Sequence, residues 1–273
     1  MASAKNISLN TATVREQWNL RECIEGCARH GFGGISPWRD KLAECGAEEA
    51  ARMIRDNGLA VSGLCRGGMF TRDGELSQEA IDDNRRAVDE AVTIGAACLV
   101  MVVGGLGPQS RDLVSAHRIV EEGLAQTLDY ARTVDMKIAI EPLHPMYAAD
   151  RACVSTMRQA LDICDRLGPG IGVACDAYHV WWDFELREQI ARAGKERLLA
   201  YHICDWLVPT TDLLLDRGMM GDGVIDLPRI RSWVEDTGFD GLQEVEIFSV
   251  NNWWTRDPDE VLRTIAERVS TCC

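Results

Sequence analysis

One unit recurs along the chain and restricts its fold more than any other feature: a short apolar run, a polar or glycine-rich loop, an amphipathic helix, then in most cases glycine. Ile7–Leu9 precedes a helix over Val14–Arg29 that ends at Gly31, and Phe32–Ile35 precedes Lys41–Asp56, ending at Gly58. Leu59–Leu64 leads to Gln78–Ile94 and Gly95, Cys98–Val103 to Leu113–Val134, and Ile138–Glu141 to Thr156–Leu167 and Gly168. Ile171–Asp176 leads to Phe184–Arg192, Leu198–Ile203 through a long loop to Pro228–Glu235 and Gly238, and Leu242–Ile247 to Asp259–Val269. Glycine after a last helical turn takes the left-handed conformation without a Cβ clash. Ser77 and Ser155 are expected N-caps, and Pro228 and Pro258 suit a first helical turn. Strands alternating with helices pair in parallel through right-handed crossovers. Eight such units close most economically into a barrel, because an open sheet leaves two edges unpaired. The expectation is an α/β chain forming a single (β/α)8 TIM barrel over residues 1–273. An open doubly wound sheet finds little support: no glycine-rich dinucleotide or P-loop fingerprint follows a strand, and GGLG at Gly104–Gly107 is neither.

A barrel of this kind carries its active site on the loops at the C-terminal strand ends. Read in order, those ends offer Asn10, Trp38, Arg66, Gly104–Gly105, Glu141 with His144, Asp176 with His179, His202 with Asp205, and Glu246. Taken singly, Glu141 and Asp176 have a bland reading as strand-end salt bridges, and His202 as a core histidine bonded to a carbonyl. Glu244 shares strand parity with Glu246, so both face one side, and Glu244 suits a buried partner in a lower layer. Together, three carboxylates and one imidazole on four strands make an oxygen-rich site for a hard divalent ion. Mn2+ is the first expectation, with Mg2+, Co2+ and Zn2+ as alternatives.

Net charge narrows the partners. With 43 acidic against 29 basic residues the chain carries −14, which disfavours nucleic acid and anionic membranes. The N-terminus lacks the apolar core of a signal peptide, and no apolar run spans a bilayer. The eleven cysteines are odd in number and lack zinc-type CxxC spacing, so they read as reduced core residues of a cytoplasmic protein, with Cys272–Cys273 as a frayed tail. Six of the eight tryptophans fall in loops on the site side: Trp38, Trp181, Trp182, Trp206, Trp253 and Trp254. They suit stacking on a sugar or aryl face, and the pair Trp253–Trp254 suggests a homo-oligomer contact. No phosphate cradle is evident, which favours an unphosphorylated polyol or keto-sugar, with Arg66 in CRGG as a candidate for an anionic group. The loop Asp205–Gly223, which carries Arg217, is a candidate lid.

EPLHP at Glu141, CDAYH at Asp176, YHICD at His202, MGDGVID at Met220 and VEIF at Glu246 resemble, in order and spacing, the xylose isomerase-like TIM-barrel superfamily. The resemblance covers nearly the whole chain and lies with the sugar-phosphate isomerase/epimerase branch, near keto-hexose 3-epimerases and inosose dehydratases. It implies a single-metal site formed by Glu141, Asp176, His202 and Glu246. It also implies that Glu141 and Glu246 are catalytic proton carriers and that His179 contacts substrate; position at the strand ends and in the loops makes His144, Arg66, Arg217 and Trp38 further substrate-binding candidates. The chain departs from the 3-epimerases after His202, where Cys204–Pro209 lacks their arginine, and at His144, where they carry asparagine. The expected activity is metal-dependent isomerisation or epimerisation of a keto-sugar or polyol by proton abstraction beside a carbonyl. Elimination on the same scaffold is the alternative, using His144 or His179 as acid. Endonuclease relatives need more histidines and a basic groove than this chain has. A non-catalytic sugar-binding subunit is at odds with an intact ligand set.

Overall fold

The computed structural model describes residues 4–273, and among them the expected barrel is present. Its parallel strands are β1 (Ile7–Asn10), β2 (Gly34–Ser36), β3 (Ala60–Val61), β4 (Leu64–Gly68), β5 (Leu99–Val102), β6 (Ile138–Ile140), β7 (Ile171–Asp176) and β8 (Leu198–Ile203). A short antiparallel pair, β9 (Asp205–Trp206) and β10 (Arg217–Gly218), follows, and β11 (Gln243–Val245) completes the barrel. The barrel order is β3-β2-β1-β11-β8-β7-β6-β5-β4. Its two ends, β3 and β4, are consecutive pieces of one extended segment broken at Ser62–Gly63, so the sheet meets itself there. Bridges from Trp38 to Cys65 and from Val61 to Ala96 tie that segment to both neighbours.

The major helices are α1 (Leu20–Arg29), α2 (Arg39–Leu42), α3 (Ala47–Asp56), α4 (Gln78–Thr93), α5 (Leu113–Thr133), α6 (Met157–Leu167), α7 (Ala177–Val180), α8 (Leu186–Arg197), α9 (Leu227–Asp236) and α10 (Pro258–Thr271). Several expected boundaries move for local reasons. The first helix starts at Leu20, because Asn19 and Glu22 form a reciprocal capping box there. The second is divided by Gly46, whose φ of 83° no helix accepts. Ser77 caps α4 as expected, but α6 is capped by Thr156, not Ser155, because Thr156 and Gln159 satisfy each other's backbone N–H groups. The third strand runs past Leu64 to Gly68, where a Cβ would meet the Val102 carbonyl at 2.1 Å, so only glycine allows the pairing. Cys272 and Cys273 are not frayed: they pack against the core, and Arg231 bonds the Cys273 carbonyl. All eleven cysteines are free thiols.

Strand alternation decides what the barrel encloses. Ala139, Ala174 and Ala200 form a small inner cluster with Cys98 and Val100, separate from the large layer between sheet and helices. Two residues further along the same strands, on the same side, stand Glu141, Asp176 and His202. Small side chains below leave the lumen open to long polar ones above.

Candidate active site

Glu141, Asp176, His202 and Glu246 converge at the C-terminal mouth, each no more than 4% exposed. One donor atom from each lies within 4.8 Å of the others, a group that could hold a metal ion. His202 turns Nδ1 to Glu141 Oε1 at 2.9 Å and Nε2 toward Glu244 Oε1 at 3.5 Å. Glu244 occupies the lower layer that its parity indicated. It accepts from Asn10 Nδ2 at 2.7 Å and from Ser62 Oγ at 2.8 Å. Asn10 also donates to Glu246 Oε1 at 2.9 Å, which locks the two glutamates together.

The loop after β8 supplies the cation. Asp205 is not a site residue but the clamp of this loop, accepting from the backbone N–H of Trp206, Gly221, Gly223 and Ile225 at 2.9–3.0 Å. The clamp and the β9–β10 pair turn Arg217 inward. Arg217 is 2% exposed, and its Nη1 donates to Glu246 Oε2 at 3.1 Å and Asp176 Oδ2 at 3.3 Å. Its guanidinium lies 4.3 Å over the Tyr178 ring and 5.0 Å from that of Phe248. The stretch just after His202 carries no arginine, and the one at the mouth arrives from further along the chain.

Four buried carboxylates, Glu141, Asp176, Glu244 and Glu246, gather here, and Arg217 pairs with two of them, Asp176 and Glu246. Burial pushes Glu246 up to about 8, with Arg217 opposing the rise and Glu141 adding to it. His202 is pushed above its usual range; burial opposes this, but Glu244 and Glu141 outweigh it. Asp176 is held low against burial by His179, Arg217 and His202. A site this hungry for positive charge fits a divalent cation on hard oxygen donors. His202 fits the same reading, since an imidazole ligand is normally steered by a carboxylate behind it, the position of Glu244.

His179 is pushed down to about 3, chiefly by burial, with Asp176 opposing and Arg217 reinforcing. It is therefore neutral. Its Nδ1 lies 3.2 Å from the His144 backbone N–H, and its Nε2 lies 3.2 Å from the donor Arg217 Nη2 and 3.6 Å from Asp176 Oδ2. A cavity of about 40 Å³ opens onto this centre. Of the four clustered residues only Glu141 and Glu246 border it, together with His179, Arg217, Arg66 and Trp38. Val102, Leu143, Tyr147 and Phe248 form its apolar wall and Arg151 adds a further cation at its rim, none of them indicated by sequence; Leu214 brings the Asp205–Gly223 loop to the cavity.

The His144 ring does not line this cavity. It packs between Trp182 and Trp206 at 5.8 and 4.9 Å, because a short turn at Pro145–Tyr147 carries it outward. Trp253 and Trp254 are also not the exposed pair expected at a subunit contact. Trp253 is buried, and their indole N–H groups bond Asp222 and the Ala12 carbonyl within the chain. Among the described residues no helix is long and apolar enough to cross a membrane.

The raised groups give a pH signature. A carboxyl with a higher pKa folded than unfolded stabilises the fold below its unfolded value, and that contribution is lost as pH rises through the folded one. For Glu246 the window runs from the usual 4.5 to about 8, and raised His202 has the same sign. Asp176, lowered from 3.8, has the opposite sign but titrates below this window. His179, lowered from 6.5 to about 3, has the opposite sign and offsets Glu246 below about pH 6.5, so metal-free protein is expected to lose thermal stability from about pH 6.5 to 8, and added Mn2+ or Zn2+ to restore it most at the upper end. A melting temperature flat across that range, with and without metal, would contradict this electrostatic account.

Comparison with known proteins places this geometry among relatives. A family model described as xylose isomerase-like TIM barrel matches residues 24–270. The crystal structure of protein SMc04130 from Sinorhizobium meliloti 1021 is 58% identical, superposes with a TM-score of 0.96, and each chain covers 99% of the other. An inosose isomerase from Bacillus velezensis is 26% identical over 96% of this chain and 94% of its own length. The IOLI protein, solved with a zinc atom, shares 22% identity at a TM-score of 0.81, covering 97% of this chain and 96% of its own.

Proposed function

Because the chain belongs to the xylose isomerase-like TIM-barrel family, we propose that it is a metal-dependent sugar isomerase or epimerase that moves a proton beside a carbonyl. The observation that carries this is which of the clustered groups line the cavity. Glu141 and Glu246 border it, whereas Asp176 and His202 do not. The two groups that a substrate reaches are thus both carboxylates suited to proton transfer. The inosose isomerase relative supports the reaction class, and the zinc of the IOLI protein supports the metal.

Glu141, Asp176, His202 and Glu246 would hold one divalent ion, Mn2+ or Zn2+ being the first to try. Once bound, it would supply Lewis acidity to a carbonyl and its neighbouring hydroxyl. The remaining roles belong to the chain. Glu246, fixed by Asn10 and Arg217, takes the carbon-bound proton or returns it, and Glu141 does the converse. His179, on the cavity wall, is placed to hydrogen-bond a substrate oxygen. Arg217 offsets negative charge that develops on the substrate oxygen, and Trp38 with Phe248 presents aromatic surface to the sugar's C–H face.

The test is deuterium exchange. Metal-loaded protein incubated with a panel of keto-sugars and inososes in deuterated water should place deuterium on the carbon beside the carbonyl. Turnover of its substrate without such exchange would point to hydride transfer and remove the two-glutamate assignment. Metal analysis should find about one divalent ion per chain, and His202→Ala should lower that occupancy at least tenfold.

A further inference from the structure

Arg66 also borders the cavity, and unlike that of Arg217 its side chain holds nothing: among the described residues it makes no side-chain hydrogen bond or ion pair. It is half-buried, on a strand that is firmly fixed. The Cys65 N–H donates to the Pro37 carbonyl at 3.1 Å, and the Asn84 side chain bonds both the N–H and the carbonyl of Gly68 at 2.6 and 2.9 Å. Arg66, Trp38 and Cys65 form the wall shared by the 40 Å³ cavity and a neighbouring open pocket of about 440 Å³. Four arginines, Arg15, Arg39, Arg66 and Arg72, line that outer pocket against two aspartates, Asp40 and Asp83. Arg15 is taken up by Asp40 at 2.5 Å, and Arg39 by Asp83 and Glu90 at 2.9 and 2.5 Å. Arg72 reaches Asp73 and Glu79 only loosely, at 3.8 and 3.5 Å, and lies more than half exposed. In a chain of net charge −14, an unspent guanidinium beside the reacting centre calls for an anion.

Arg66 stands between the reacting centre and the outer pocket, so a substrate held at Glu141 and Glu246 that extends outward passes it. We propose that the substrate is an anionic sugar, whose carboxylate or phosphate, remote from the reacting carbons, is held by Arg66. The word sugar rests on the isomerase reading above; the anion rests on Arg66 alone. A planar guanidinium meets either group with two parallel hydrogen bonds.

Calorimetric binding to metal-free protein tests this with three probes: D-gluconate, D-glucitol 6-phosphate and the neutral D-glucitol. At least one anion should bind about tenfold or more tightly than D-glucitol. Arg66→Gln should erase that preference, and Arg66→Lys should restore part of it. The anion that responds tells a carboxylate from a phosphate substrate. No anion preference in the wild type, or one that survives Arg66→Gln, overturns the proposal. Exchange activity is scored separately. Arg66-dependent anion binding without deuterium exchange on any keto-sugar would overturn the isomerase reading and leave the anion site standing.

Discussion

Glu246→Gln is expected to lower turnover by about 10²- to 10⁴-fold, the usual contribution of a positioned acid–base group, without unfolding the chain. Glutamine keeps the shape of the side chain and can still accept from Asn10 Nδ2, so the packing of the mouth is retained. It cannot accept a proton from carbon, and its amide would present a donor to Arg217 Nη1 where a carboxylate oxygen now accepts. Glu141→Gln should be comparably impaired, and the pair is informative because the proposed mechanism assigns the two carboxylates to different proton transfers. One variant should retain exchange of the substrate proton with solvent while failing to convert substrate. The other should lose exchange as well. Rates near wild type in both, with circular dichroism unchanged, would remove the catalytic assignment. Metal-free Glu246→Gln should also be more heat-stable than wild type at pH 8, since a buried charge has been deleted.

Arg217→Met is expected to produce the largest change in stability. It removes the one buried cation that bridges Asp176 and Glu246, leaving both charges without that partner inside the barrel. Breaking a buried pair on one side costs about 3–5 kcal/mol, which for a chain of this size lowers the melting temperature by about 10 °C in the metal-free state. Mn2+ or Zn2+ should close much of that gap, because a divalent ion replaces the missing positive charge. Thermal denaturation of both proteins with chelator and with metal separates the two contributions. An unchanged metal-free melting temperature would mean that the carboxylates do not depend on Arg217 for charge balance.

The four clustered residues were legible because parallel strands buried on both faces read as unbroken apolar runs, so a polar residue at the end of one stands out. Asp176 closing IGVACD and His202 inside LLAYHIC are such cases. Arg217 could be named as a candidate but not placed. Its position depends on a carboxylate twelve residues earlier collecting backbone N–H groups from beyond the loop, which no periodicity encodes. Asp205 itself looked like a site residue for the same reason. The third strand read short because Gly67 and Gly68 have the composition of a loop, although they are glycines through close packing against Met101, Asn84 and Val102. His144 was misplaced by the turn at Pro145, which reverses the chain within three residues. Exposed tryptophans could not be told from packed ones, since the partners of Trp253 and Trp254 lie in distant segments.

The clamp at Asp205 has an evolutionary consequence. Both feet of the Asp205–Gly223 segment are fastened to one carboxylate and to the β9–β10 pair, while the stretch between them, from Leu207 to Asp216, carries most of the exposed surface. Closing a longer loop between fixed ends costs little more than closing a short one. Insertions and substitutions in that stretch can therefore accumulate without displacing Arg217. Descendants of this barrel are free to explore new substrates at the rim while inheriting the reacting centre unchanged.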